Sequence, residues 1–337
     1  MRRKQKPTEN LQKIRFSIDH LDPMGQGVDK SGKKVTFIGG TLPGETGTAL
    51  VFKRAKGVQF AMLESIDESS SQRIEAQCPH FNQCPGCQYQ HVSYEDELEF
   101  KKAALSRHLS GIKMGDIGDI NVFAAPRRFA YRNRVQLHYR RKYIGMLDGA
   151  QDKVVEVPNC LLIKEEMHAK FDSLYRQKDW QEIHMGRGHC ELYLQDDEVK
   201  LSWNDVYSQG GFSQVYEEMN VKLKARVASL VEDKNIKTLL DLFSGSGNLS
   251  NNLGAEKIVL VDSHELANME QQAFYALDLY EEDSLTRFSR KYKKVQFDAV
   301  VLDPPRRGFP LIDKWMRRIK PKHIFMLAAI LLVLREI

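Results

Sequence analysis

Apolar and polar positions alternate with period two across residues 11–66, through "KIRFSIDHLD", "KVTFIGGTLPGETGTALVFKRAKG" and "VQFAMLESID". Period two sends successive side chains to opposite faces of a strand, and the Gly and Pro between the runs mark corners. Several short strands cornered in this way predict a small β-barrel, with "MGQGVDKSGKKV" as a glycine-rich hairpin. The polar stretch "DESSSQR", 67–73, reads as a linker. The spacing then changes. "SYEDELEFKKAALSRHLSGI" predicts a helix with Ser93 as its cap, acids in the first turn and bases later. From residue 206 the pattern changes again. Helical "VYEEMNVKLKARVASLVED" precedes the short apolar runs "KTLLDLF", "KIVLVD", "FDAVVLD" and "HIFMLAAI". Strands alternating with helices predict a parallel sheet that binds ligands at the carboxyl ends of its strands. The expected fold class is therefore α/β with an N-terminal small β-barrel. The expected parts are a barrel over 8–67, a central α+β region over 68–205 and a Rossmann-like sheet over 206–337.

At 337 residues the chain exceeds one ordinary domain. Lys and Arg number 50 against 45 Asp and Glu, a net charge of +5 that hints at a polyanionic partner. The opening "MRRKQKPTEN" lacks the apolar core of a signal peptide, so a disordered arm and a cytoplasmic location are expected. The apolar run Ile324–Leu334 has eleven residues where a membrane span needs about 20, so it reads as a buried strand or helix. Lys30, Lys33, Lys34, Lys53, Arg54 and Lys56 decorate the expected barrel, which suits single-stranded nucleic acid and equally a solvated surface. Residues 126–145 are denser. Arg127, Arg128, Arg132, Arg134, Arg140, Arg141 and Lys142 interleave with Phe129, Tyr131, Tyr139 and Tyr143. Guanidinium forks suit phosphates and aromatic faces stack on unpaired bases, so an RNA-facing surface is expected there.

Chemistry concentrates in three places. In "LLDLFSGSGNLS" a strand delivers Asp241 and Phe243, then Gly245, Gly247 and Asn248 make a tight turn that lets a ligand approach the backbone. About twenty residues on, the second strand ends in Asp262, an acid placed to accept the hydroxyls of a ribose. The turn is not G-x-G-x-x-G and offers little pyrophosphate cradle, which favours S-adenosylmethionine over a dinucleotide. "VLDPPRRG" sets Asp303 in a loop stiffened by two prolines, with Arg306 and Arg307 suited to phosphate. Cys78, Cys84 and Cys87 follow a C-x5-C-x2-C pattern, with Cys160 later in the chain. Four thiolates suit either zinc or an iron–sulfur cluster, and spacing alone does not separate the two. Cys190 is expected to be structural.

Together these motifs resemble the RNA (uracil-5-)-methyltransferase family, of the bacterial 23S ribosomal RNA type with a TRAM domain and a 4Fe–4S cluster. "DPMGQGV" looks like the TRAM start, "CPHFNQCPGCQYQH" like the cluster motif and "FAYRNRVQL" like the family's central strand. "GFSQVYEEMN", "LDLFSGSGNLS" and "LDPPRRG" are similar to its cofactor motifs. The resemblance implies a cluster on Cys78, Cys84, Cys87 and Cys160. It implies an S-adenosylmethionine site lined by Gln214, Phe243, Asn248, Asp262, Asp278 and Asp303. Asp262 stands where the family has Glu, and the stretch between Asp262 and Asp278 is shorter than the family's. The implied chemistry is covalent C5 methylation of a flipped uridine in ribosomal RNA, by a monomer.

The family's nucleophile is a cysteine in an "SCNP" motif on the strand after the DPP loop, and its general base is a glutamate beyond. Here that strand is "HIFMLAAILLVLREI", with Ala328 and Ala329 near the expected cysteine position. Codons can be assigned to Phe325–Ile337 so that reading two bases later yields Tyr-Val-Ser-Cys-Asn-Pro-Ala-Ser-Val-Ala-Arg-Asp. A truncation or frameshift is therefore expected, and the chain as it stands is expected to show no turnover. Two alternatives stay open: an RNA-binding relic, and a zinc-stabilised nucleic-acid-binding protein.

Overall fold

The structure, a computed structural model, describes residues 11–111, 118–148, 152–184, 186–206, 214–232, 234–263, 273–305 and 307–327. The chain divides into two compact units, Met1–Asp205 and Val206–Ile337.

The period-two runs of the first unit become β1 (Gln12–Leu21), β2 (Gln26–Asp29), β3 (Val35–Gly39), β4 (Thr46–Arg54) and β5 (Val58–Glu68). They close into a barrel in the order β1-β2-β3-β5-β4, which leaves no open edge. The inward positions Phe16, Ile18, Ile38, Ala49, Val51 and Ala61 fill it. The segment after the barrel is tied back by Arg73, whose guanidinium clasps the fully buried Glu45 carboxylate with bonds of 2.6 and 2.8 Å. Burial alone would raise the Glu45 pKa. Arg73, with the N–H groups of Leu42 and Ser70, outweighs it and holds the carboxyl below its usual range.

The expected helix forms as α1 (Tyr94–Ser110), and the Ser93 hydroxyl accepts from the Asp96 N–H at 3.0 Å. The central region is an antiparallel sheet of β6 (Arg134–Arg140), β7 (Tyr143–Asp148), β8 (Lys153–Val155), β9 (Arg187–Gln195) and β10 (Glu198–Trp203), in the order β10-β9-β6-β7-β8. Its apolar face packs on α2 (Glu165–Arg176) through Val135, Leu137, Leu192, Met167 and Phe171, and Trp180 of α3 (Trp180–Ile183) joins the same core. Cys190 is fully buried within it, as expected of a structural cysteine.

The Arg-rich stretch is a correction. Several of its members face inward to protein partners rather than outward to RNA. Arg134 bridges to the buried Glu191 across the β6–β9 pair at 2.9 Å, whereas Arg140 stays at the surface, paired there with Asp152. Arg128 bonds Glu97 and the carbonyls of Val92 and Tyr89, and Tyr139 is buried. Arg141, Lys142 and Tyr143 are exposed at the β6–β7 turn.

The second unit contains α4 (Glu217–Glu232), β11 (Thr238–Leu242), β12 (Lys257–Asp262), β13 (Ala273–Ala276), α5 (Ser284–Lys291), β14 (Ala299–Leu302), α6 (Ile312–Ile319) and β15 (His323–Met326). The strands form one parallel sheet in the order β13-β12-β11-β14-β15. α5 and α6 cover one face through Phe288, Ile312 and Trp315, while α4 covers the other through Val227 and Val231. Strand order reverses at β11, between β12 and β14, and such a reversal opens a crevice at the carboxyl ends. The apolar tail starts as β15, half-buried, and Ala328, Ala329 and the rest of the tail lie outside the described residues. Among the described residues no helix is long and apolar enough to cross a membrane.

Candidate functional site

At the reversal, β11 ends in the turn that the glycines permit. Phe243, Gly245 and Gly247 all have positive φ, at 62°, 52° and 74°. A Cβ added at Gly247 would lie 1.9 Å from the Asn251 side chain, so that position admits only glycine without rearrangement. The Gly245 N–H donates to Asp262 Oδ2 at 2.9 Å, and Asp262 Oδ1 accepts from the Ser263 N–H at 2.6 Å. The two sequence signals, turn and second-strand acid, are thus physically joined. Asp262 remains partly exposed beside the turn.

Asn248 exchanges two side-chain bonds of 2.9 Å with Asn220 of α4, a partner that the sequence motifs do not reveal. Asp303 follows β14, next in the sheet to β11, and burial raises its pKa. Behind the turn, Asp241 is buried and pushed up to about 7. Burial is the main cause; the Ser250 hydroxyl, 2.6 Å from Asp241 Oδ2, opposes it, and the charges of Asp303 and Asp262 add to it. Three carboxylates therefore converge at the carboxyl ends of β11, β12 and β14; of these, Asp241, delivered by the glycine-turn strand, is not among the residues that the family resemblance assigns to the cofactor.

Asp278 and Gln214 sit less centrally. Asp278 is exposed and caps its own turn by accepting the Tyr280 N–H at 2.9 Å, and Gln214 is partly buried at the entry to α4. Tyr280 is a site residue that no sequence motif marks. Its hydroxyl donates to the Gly308 carbonyl at 2.6 Å, its ring lies under the Arg307 guanidinium, and it meets Phe243, which in turn meets Phe309. An aromatic wall thus stands between the glycine turn and the DPP loop. Arg306 lies outside the described residues.

In the first unit, Cys78, Cys84, Cys87 and Cys160 line one enclosed pocket with Phe81 and Arg132, and all four are free thiols. The loop is held by Cys84 N–H on the His80 carbonyl at 2.7 Å and by Cys78 N–H on Gln90 Oε1 at 3.1 Å. Burial raises the thiols of Cys84, Cys87 and Cys160, Cys84 to about 11. Arg132 Nε is buried there without a hydrogen-bond partner, a cationic donor that suits an anionic group. Among the described residues no three His, Cys, Asp or Glu side chains form a site for a single metal ion.

No family profile matches the chain. Curated relatives do. The 23S rRNA (uracil(1939)-C(5))-methyltransferase RlmD of Shewanella frigidimarina is 25% identical over 95% of this chain and 88% of its own length. Its counterpart in Erwinia tasmaniensis is 26% identical over 93% and 86%. The first of these alignments runs to 399 positions against 337 residues here, so the relative carries segments that this chain lacks. Among solved structures, the Pyrococcus abyssi tRNA (uracil-54, C5)-methyltransferase in complex with S-adenosyl-L-homocysteine matches with a TM-score of 0.66, 21% identity, and coverage of 93% of this chain and 89% of that one, a likeness of fold. The chain is a homologue of RNA uracil-C5-methyltransferases across most of its length, and by that resemblance an enzyme.

Proposed function

We propose that the second unit binds S-adenosylmethionine and that its fold is built for C5 methylation of a uridine in RNA, ribosomal as in its relatives. The observation that carries this reading is the Gly245–Asp262 bond at the strand-order reversal, which fixes an acid beside a glycine turn where a nucleoside would lie. Asp262 is suited to the ribose hydroxyls, and Phe243 with the aromatic wall to an apolar flank. Asn248, locked by Asn220, is suited to hold the turn against the cofactor, and Asp303 reaches the same end of the sheet. The cofactor supplies an electrophilic methyl group; this chain's residues supply its seat.

In the covalent route a thiolate would add to C6 of the flipped uracil, and C5 would take the methyl group as the sulfonium S–CH3 bond breaks and S-adenosylhomocysteine leaves. A base then takes the C5 proton as the thiol leaves. β15, the strand after the DPP loop, carries no cysteine. Four of the five cysteines line the pocket of the first unit, and the fifth, Cys190, is buried with its thiol pushed up to about 12. We therefore expect donor binding without turnover from these 337 residues. Calorimetric titration with S-adenosylhomocysteine, and transfer of labelled methyl to unmodified ribosomal RNA, test both halves. Absence of cofactor binding would sink the reading, and robust C5 methylation would sink the requirement for a thiol on that strand.

The thiol pocket is suited to a 4Fe–4S cluster on Cys78, Cys84, Cys87 and Cys160. Zinc needs all its sulfurs about 2.3 Å from one point, whereas a polynuclear anionic group accommodates a wider ring of thiolates and gives Arg132 a partner. Visible charge-transfer absorption after anaerobic purification separates the two.

A further inference from the structure

Net charge is unevenly placed along this chain. Residues 284–322 hold twelve Lys and Arg against three Asp, which is +9, while the whole chain is +5. Everything outside that segment is therefore net acidic by four charges. The segment spans α5, β14, α6 and the entry to β15. Its apolar residues, Phe288, Phe297, Ile312 and Trp315, face the sheet, so the cations are left outward. Arg290, Lys291, Lys293, Lys294, Arg318 and Lys320 are all exposed.

These cations form one continuous patch. Arg318 Nε donates to Ser289 Oγ at 3.2 Å, and Gln296 Nε2 donates to the Lys320 carbonyl at 3.4 Å. Lys322 pairs with Asp298 at 2.9 Å, so the end of α6 lies along the end of α5. Helix dipoles account for bases in the last turns, namely Arg290, Lys291, Arg317 and Arg318. They do not account for Lys293 and Lys294, which lie beyond the Tyr292 cap of α5, while Lys320 is itself the cap residue of α6. Both helices run antiparallel to the strands, so the patch gathers at the amino ends of β14 and β15, opposite the cofactor seat.

We propose that this α5–α6 patch docks the phosphate backbone of the substrate RNA, at a distance from the reacting base. The proposal rests on the reading of RNA as substrate. Strands of four to six residues separate the two ends by roughly 15–20 Å, so only an RNA long enough to cross that span engages both.

The test replaces Arg290, Lys293, Lys294 and Lys320 together with Gln and measures filter binding of a structured ribosomal RNA fragment across a salt series. Affinity is expected to fall at least about tenfold, and the salt slope to flatten by about three, at roughly 0.7 per lost phosphate contact. Binding of a short uracil-containing oligonucleotide is expected to be unchanged. A charge-preserving set, with Arg290→Lys and Lys293, Lys294 and Lys320 each →Arg, must bind as the parent does; a loss there overturns the proposal. Unchanged affinity and slope in the Gln variant, with a parent that binds, overturns the patch and leaves the RNA reading standing. A parent that binds no RNA ends both.

Discussion

At the scale of single residues, Asp241 is the most sharply tuned group of the site. Burial, with the nearby charges of Asp262 and Asp303, pushes its pKa up to about 7. Its folded pKa lies above its unfolded one, so the stability gained by holding the proton is complete below the ordinary carboxylate range. That stability is lost as pH rises from about 4 through 7, each pH unit crossed removing about 1.4 kcal/mol. Asp241→Asn keeps a neutral acceptor for Ser250 and removes the titration. Thermal melts of parent and variant should therefore diverge with rising pH, the variant being at least as stable at pH 8 and the parent gaining several degrees on it toward pH 5. Parallel curves would mean that Asp241 stays ionised throughout. An acid inside "LLDLF" is visible in the sequence. Its protonation is not, because it depends on Asp303, sixty-two residues later, and on the depth of the strand.

At the scale of elements, local signals and distant partners separate cleanly. The barrel, the Ser93 cap, the glycine turn and the acid after β12 are written in periods and neighbours of a few residues, and they are legible. Asn220 with Asn248, and Tyr280 with Gly308, each span 28 residues. Nothing near either residue announces the contact. The Arg-rich β6 misleads for the same reason: composition gives charge, but Glu191, which neutralises Arg134, arrives only through the β6–β9 register. The turn itself is testable as an element. Gly247→Ala forces a Cβ into Asn251 at a φ of 74°, which costs about 1–3 kcal/mol of strain. It should lower both the melting temperature and S-adenosylhomocysteine affinity, the latter at least about tenfold. Gly254→Ala, also at positive φ but with open space around its Cβ, should cost only about 1 kcal/mol and leave affinity intact. Equal loss of affinity in both would detach the turn from the cofactor.

At the scale of the molecule, the cysteine segment is the joint of the first unit. On one side Tyr89 and Val92 pack against Leu21 and Leu42 of the barrel. On the other, Arg128 takes the carbonyls of those same two residues, while Cys84 and Cys160 pack at the core under the central sheet. Few regular hydrogen bonds hold residues 70–92, which are turns and bends rather than helix or strand. A group bound by Cys78, Cys84, Cys87 and Cys160 would cross-link three loop thiols to a residue far along the chain, and binding energy of that kind becomes folding energy. Filling the pocket should therefore raise the melting temperature of the first unit, and Cys84→Ser should lower it and abolish the visible absorption together. S-adenosylhomocysteine affinity, read on the same variant, is expected to be unchanged, because every residue assigned to that seat lies in the second unit. If Cys84→Ser instead left the first unit as stable as the parent, the thiols would be serving the chemistry of the pocket and not the architecture around it.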